Sequence, residues 1–277
     1  LQRHAVVVEG HPFAVWSKVP VNPKAVMLLI HGRTWSTRPD FDLQVPGENL
    51  SLMDGLVAMG VAAYGLDLRG YGETPRDASG WLTPNRAALD VAEVLGWLAR
   101  RHPELPLPHL FGWSYGATVA QLVAQQYPHL MSALILFGYP LRDGYDVSPE
   151  AAEPLRAPTT AEAAASDFIL PGTISEAAID AFVTSALAHD PVRMDWRALE
   201  QWRALDGAEV RVPVLLLQAA EDPLAQPAVH AELFTALDTR DKTWAVIPGG
   251  DHAAFLETSR AYFLSLIESF VLRGEGE

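Results

Sequence analysis

The chain has 277 residues, a hydrophobic share of 49% and a formal net charge of −14. That length and apolar content suit one large α/β domain with an insertion, or two modest domains, and exclude general disorder. The acidic balance argues against nucleic acid and anionic membrane as partners, no apolar run reaches membrane-spanning length, and the lack of cysteine removes disulfides, thiolate metal sites and cysteine nucleophiles.

The amino terminus carries no basic-then-apolar signal segment, so a cytoplasmic protein is expected; no initiator Met is present, which leaves export open. Residues 5–9 and 13–19 predict two strands of an antiparallel hairpin joined through Gly10-His11-Pro12. Residues 24–30 are a continuous apolar run, as expected of a strand covered on both faces, and end in His31-Gly32-Arg33-Thr34-Trp35-Ser36. Helical spacing over 50–59 stops at Gly60, and a strand over 61–66 leads into Asp67-Leu68-Arg69-Gly70-Tyr71-Gly72. Thr83 reads as an N-cap, with Pro84 opening a helix that runs to about Arg101.

After Pro108 an apolar strand meets Gly112-Trp113-Ser114-Tyr115-Gly116 and passes into a helix over 117–127; residues 133–137 are the next strand. Strands alternating with helices through short links predict the α/β class, with a mainly parallel sheet flanked by helices. The alternation breaks from 139 to 207, which holds prolines, no strand-like run, and helical stretches near 161–167, 175–188 and 196–205. We read it as a helical insertion over the sheet top, leaving 1–138 and 208–277 as the core. The pattern then resumes with a strand over 212–218, a helix over 227–237, a strand over 243–247 and a last helix over 253–272.

A serine between two glycines at a strand-to-helix turn is held in a strained backbone with its hydroxyl clear of the sheet, which marks Ser114 as a candidate nucleophile. Such a hydroxyl needs a base to take its proton and a third group to orient the base. Parallel strands place their carboxyl-end loops on one edge, where open α/β sheets bind ligands. Two of those loops supply candidates: Glu221-Asp222-Pro223 and Gly249-Gly250-Asp251-His252. His252 is preferred among nine histidines because it lies at that edge, whereas His102, His109, His129, His189 and His230 start strands or end helices, where solvation is the ordinary reading. Asp222 is preferred for the third role, with Glu221 and Asp143 as alternatives; Asp251 reads as a solvated turn carboxylate. The oxyanion would be held by the N–H of Tyr115 and that of Arg33, with Thr34 as the alternative to Arg33. His31 reads as a structural hydrogen-bonding residue.

These pieces together (His31-Gly32, residues 67–72, the pentapeptide at 112–116, Asp222-Pro223 and Gly250-Asp251-His252) resemble the α/β-hydrolase superfamily. The resemblance implies a Ser-His-Asp triad of Ser114, His252 and Asp222, and a cap role for 139–207 in lining the pocket. Haloalkane dehalogenases and epoxide hydrolases of that superfamily carry Asp at the elbow, where this chain has Ser114; the His-Gly-Gly-Gly esterases differ at Arg33 and Thr34. The resemblance leaves the substrate open.

Trp35, Trp113 and Tyr139 neighbour the candidate loops and are expected to bind substrate, favouring a small, hydrophobic or aromatic ester. Arg33 either steers an anionic group or points to water. Without H-E-x-x-H, a Cys/His cluster or a dinucleotide fingerprint, neither metal nor cofactor is expected. The leading reading is a serine carboxylesterase; carbon–carbon or lactone hydrolysis by the same triad, and a binding protein on a hydrolase scaffold, are the alternatives.

Overall fold

A computed structural model describes residues 1–140 and 152–273. The chain opens with β1 (Gln2–Val8) and β2 (His11–Lys18), an antiparallel pair whose register sets Val8 opposite His11. Their two-residue turn is Glu9-Gly10, one position earlier than the sequence suggests. Both residues have positive φ (49° and 79°), the twist that flanking strands demand of a two-residue hairpin. Then follow β3 (Ala25–Ile30), the short helix α1 (Thr37–Phe41), α2 (Leu52–Ala58) and β4 (Val61–Leu66). β5 (Trp81–Leu82) precedes α3 (Pro84–Arg101), which Thr83 caps by accepting the Arg86 N–H.

β6 (His109–Trp113) passes through Ser114 into α4 (Tyr115–Gln126), and β7 (Ala133–Phe137) follows. In the predicted insertion lie α5 (Ala161–Ala165), α6 (Glu176–His189), β8 (Asp195–Trp196) and a 3₁₀ turn over Leu199–Ala204. β9 (Val214–Ala219), α7 (Pro227–Ala236), β10 (Lys242–Ile247) and α8 (Arg260–Val271) complete the chain. Among the described residues no helix is long and apolar enough to cross a membrane.

Eight strands form one sheet in the order β1-β2-β4-β3-β6-β7-β9-β10, parallel from β4 to β10. The chain is therefore α/β, as its alternation predicts. The inner parallel strands are buried along their length, His109 at the start of β6 excepted, because helices cover both faces. Successive residues serve opposite layers. Val26, Leu28 and Ile30 pack with α3, α4 and α7, while Met27 and Leu29 pack with α2, α6 and α8. Ile30, Leu66, Gly112, Phe137, Leu217 and Ile247 end near one level of the register, so the loops that follow share one sheet edge.

Three expectations shift. The stretch 139–207 does contain a strand, β8, which pairs in parallel with β5; two residues carry no periodicity to read, and the partner lies more than a hundred positions away. The helix expected over 196–205 is a 3₁₀ turn, entered through Ala198 at φ 55°. The last helix begins at Arg260 rather than near 253, because Glu257 is extended (φ −105°, ψ −177°) and its carboxylate accepts from Asp251 N–H and Thr173 Oγ1 instead of continuing a helix.

Candidate active site

Ser114 sits between the last residue of β6 and the first of α4 at φ 54°, ψ −124°, a backbone that costs a non-glycine residue roughly 1–3 kcal/mol and persists only when its surroundings impose it. They do so by contact. A Cβ on Gly116 would lie 2.3 Å from the His31 carbonyl oxygen and 2.4 Å from that of Ile30, and one on Gly112 would lie 2.4 Å from the Gly116 carbonyl. Without side chains at 112 and 116, α4 presses directly on the end of β3. Ser114 is pinned further by its N–H to the Phe137 carbonyl (2.9 Å).

Asp222 follows β9 and is buried. Its Oδ1 accepts from the N–H groups of Leu224 (2.8 Å) and Ala225 (3.2 Å), and its Oδ2 lies 2.7 Å from Nδ1 of the buried His252, which follows β10. A carboxylate oxygen here accepts, so Nδ1 carries the proton and Nε2 is the basic nitrogen of the ring. The His252 loop is braced from the core. Trp113 Nε1 donates to the His252 carbonyl (2.7 Å), and the Glu221 N–H donates to the Gly250 carbonyl (3.1 Å). The Glu221 side chain itself is exposed; Asp143 lies outside the described residues. Gly138, which the sequence reading passed over, leaves room for the pair: a Cβ there would stand 3.1 Å from His252 Cε1 and 3.5 Å from Asp222 Oδ2.

Ser114 and His252 line one cavity of about 110 Å³, together with Gly32, Arg33, Thr34 and Trp35 from the loop after β3, Trp113 and Leu224, and two acids, Asp40 and Asp167. Tyr139 does not line it. Its ring is buried in the opposite core layer with Trp196 and Trp202, because the chain leaving β7 turns to that side. The half-buried Arg33 sets its guanidinium 5.3 Å from the centre of the Tyr115 ring, and Tyr71 Oη donates to the Arg33 carbonyl. Trp202 Nε1 donates to Tyr115 Oη (2.6 Å) and Trp196 Nε1 to Tyr71 Oη (2.8 Å), so the 195–204 stretch grips the residues beside the elbow. Tyr115 opens α4, where an α-helix has no intrahelical use for its N–H groups.

The loop from 31 to 37 is shaped by buried polar groups. Nε2 of fully buried His31 accepts the Leu68 N–H (3.0 Å) while Nδ1 reaches the Gly32 carbonyl (2.8 Å), and burial lowers this imidazole to about 4, keeping it neutral. Asp67 accepts from Thr37 N–H, and Asp190 from Ser36 N–H and Gly72 N–H. Asp40 faces Gly32 N–H at 3.4 Å; burial holds its carboxyl well above the usual range, with Asp167 and Asp190 adding to the rise. Burial also lifts Asp167 and Asp190 to about 6 each. As isolated aspartates in sequence, these three carry no motif that would have flagged them.

Two further expectations are corrected. His230 is fully buried against Trp244 rather than solvated, since α7 turns it inward. Asp251 is fully buried too, with its carboxylate engaged by backbone N–H groups of residues 169, 170 and 253.

A strained serine at the elbow, a His–Asp pair on neighbouring loops of the same edge and a shared cavity amount to the layout of a hydrolase. The family described as serine aminopeptidase, S33, matches residues 21–259. The chain belongs to this family of α/β-hydrolases. No functionally curated protein matches it. Among solved structures, this hydrolase is similar to a hydrolase from Pseudomonas aeruginosa PA01 (17% identity, TM-score 0.70, covering 97% of each chain). It is similar also to the thioesterase domain of the curacin biosynthetic pathway (19% identity, TM-score 0.65, covering 96% of this chain and 98% of that one). A third similar structure is the epoxide hydrolase VrEH1 from Vigna radiata (18% identity, TM-score 0.65, 96% of each chain). At such identities the likeness speaks to the fold alone.

Proposed function

We propose that this α/β-hydrolase is a serine esterase acting on small carboxylic esters through an acyl-enzyme. Ser114 Oγ attacks the carbonyl, His252 Nε2 takes its proton and returns it to the departing alcohol, and Asp222 holds the imidazole in the tautomer that allows this. The N–H groups of Arg33 and Tyr115 receive the oxyanion, Trp35 and Trp113 wall the acyl group, and residues 139–207 cap the site. The observation that carries the reading is the 2.7 Å link between His252 Nδ1 and Asp222 Oδ2, made beside a cavity that Ser114 also lines. The size of that cavity, about 110 Å³, supports a short acyl group. Holding benzene takes about 150 Å³.

The test combines labelling with a substrate panel. An alkyl p-nitrophenyl phosphonate should release one equivalent of nitrophenol and leave its adduct on the peptide containing Ser114. p-Nitrophenyl acetate and butyrate should turn over well ahead of the octanoate. Cleavage of a lactone or of alanine p-nitroanilide with no turnover of the esters would replace the ester reading; labelling without turnover of any substrate would favour a binding protein.

Asp167 bears on the pH profile of this mechanism. Its carboxyl titrates at about 6, raised chiefly by burial and lowered in turn by His252, so above that pH it stands as a negative charge near the base. Such a charge favours the imidazolium, the form that cannot accept a proton. Asp167→Asn should therefore move the acid limb of kcat/KM to lower pH, by about half a unit. A limb that stays in place or moves upward would contradict the assignment of His252 as the base that Asp167 faces.

A further inference from the structure

Asp251 immediately precedes His252, and its fully buried carboxylate reaches residues 169 and 170 of the cap. Oδ2 accepts two consecutive cap N–H groups, Ile169 and Leu170, both at 2.6 Å, while Oδ1 accepts the Ala253 N–H at 2.9 Å. A second strut runs alongside. Glu257 Oε2 accepts the Asp251 N–H (3.0 Å), its Oε1 accepts from Thr173 Oγ1 (2.8 Å), and the Thr258 N–H donates to the Thr173 carbonyl (2.8 Å). Two residues before Ile169, Asp167 lines the cavity and accepts from Trp35 Nε1 (2.9 Å), and Phe168 packs edge-on against Phe182. The stretch that walls the cavity and the loop that presents the histidine thus meet on one side chain. The braces from Trp113 and Glu221 act on that loop's backbone, whereas the contact to residues 169 and 170 is made by the loop's own side chain, Asp251.

We propose that Asp251 is a positioning residue: it locks residues 167–170 of the cap to the loop carrying His252, so that the cavity wall and the base are held as one unit. The inference rests on the esterase reading only for what the histidine does; the mechanical tie stands on its own contacts. Two oxygens serving three N–H donors is a task for a carboxylate. An asparagine has one accepting oxygen, and its amide would face a donor with a donor.

Hydrogen exchange on the full chain separates the tie from the chemistry. In Asp251→Asn, amides in 166–174 should exchange at least tenfold faster than in the wild type while those of α3 keep their rates. In a second variant, Ile169→Pro, which removes one donor from the cap side, the peptide spanning 248–256 should speed up although none of its residues has changed. Uniform acceleration along the chain, or no acceleration in either segment, would overturn the tie. Turnover then tests positioning. Asp251→Asn should raise KM for p-nitrophenyl butyrate at least fivefold, with kcat reduced less, at a temperature well below its melting point. Local loosening with both kinetic constants unchanged would make Asp251 a structural contact and overturn the positioning role. Failure of the esterase reading itself would show separately, as a wild type that turns over no ester while its exchange pattern still reports the tie.

Discussion

Ser114→Ala should lower kcat on p-nitrophenyl acetate by on the order of 10⁶-fold, because a nucleophile, its base and the group that orients the base act as a unit and the loss of one forfeits nearly all they do together. His252→Ala should cost about as much, and the double variant little more than either alone. Ser114→Ala removes only a hydroxyl at the cavity wall, so its melting temperature should stay near the wild-type value and its loss can be read as chemistry. His252→Ala strips the buried Asp222 carboxylate of its ring partner and should melt lower, so its kcat is compared at a temperature where the variant is fully folded. What remains should exceed the uncatalysed reaction by roughly 10³-fold, the share left to oxyanion stabilisation and binding. Retention of a tenth of wild-type kcat by the alanine variant would remove Ser114 from the mechanism, and simple multiplication of the two single losses would show that serine and histidine act separately.

The second large effect concerns folding. Gly116→Ala places a methyl group 2.3 Å and 2.4 Å from two backbone carbonyl oxygens at the end of β3, His31 and Ile30. No flexible side chain can move aside there. β3 and α4 must separate instead, and both are central to the core. A loss of at least ~3 kcal/mol is expected, at the upper end for overpacking. At 2–4 °C per kcal/mol for a chain of this size, that lowers the melting point by roughly 10 °C. Activity should fall as well in the fraction that folds, since the same carbonyls begin the loop expected to hold the oxyanion. A melting point within a degree or two of the wild type would mean that elbow and strand approach less closely than described.

Local order in this chain was legible because its signals are local. β3, β4 and β7 are unbroken apolar runs that helices cover from both sides, and Thr83-Pro84 states its own helix start. The strand boundaries at 61–66 and 133–137 followed directly from that. The elbow was legible for a related reason: the glycines that α4 and β3 require lie within two positions of the serine they constrain. Pro223 fixes the chain directly after Asp222, and the structure buries Asp222 and exposes Glu221.

What the chain determined by itself, then, is the alternation that builds a parallel sheet and the placing of Ser114, Asp222 and His252 on loops that such a sheet must bring to one edge. Tertiary structure decided the rest: the volume of the cavity, the turn of Tyr139 into the opposite layer, the inward-facing Asp40 and Asp167, and the burial of Asp251 against residues 169 and 170. These depend on partners such as Trp35 and Asp167, 132 positions apart, whose meeting is set by how the insertion packs onto the sheet edge. Periodicity and turn chemistry report on neighbours along the chain, and a lone aspartate in a loop reads the same whether water or another segment will cover it.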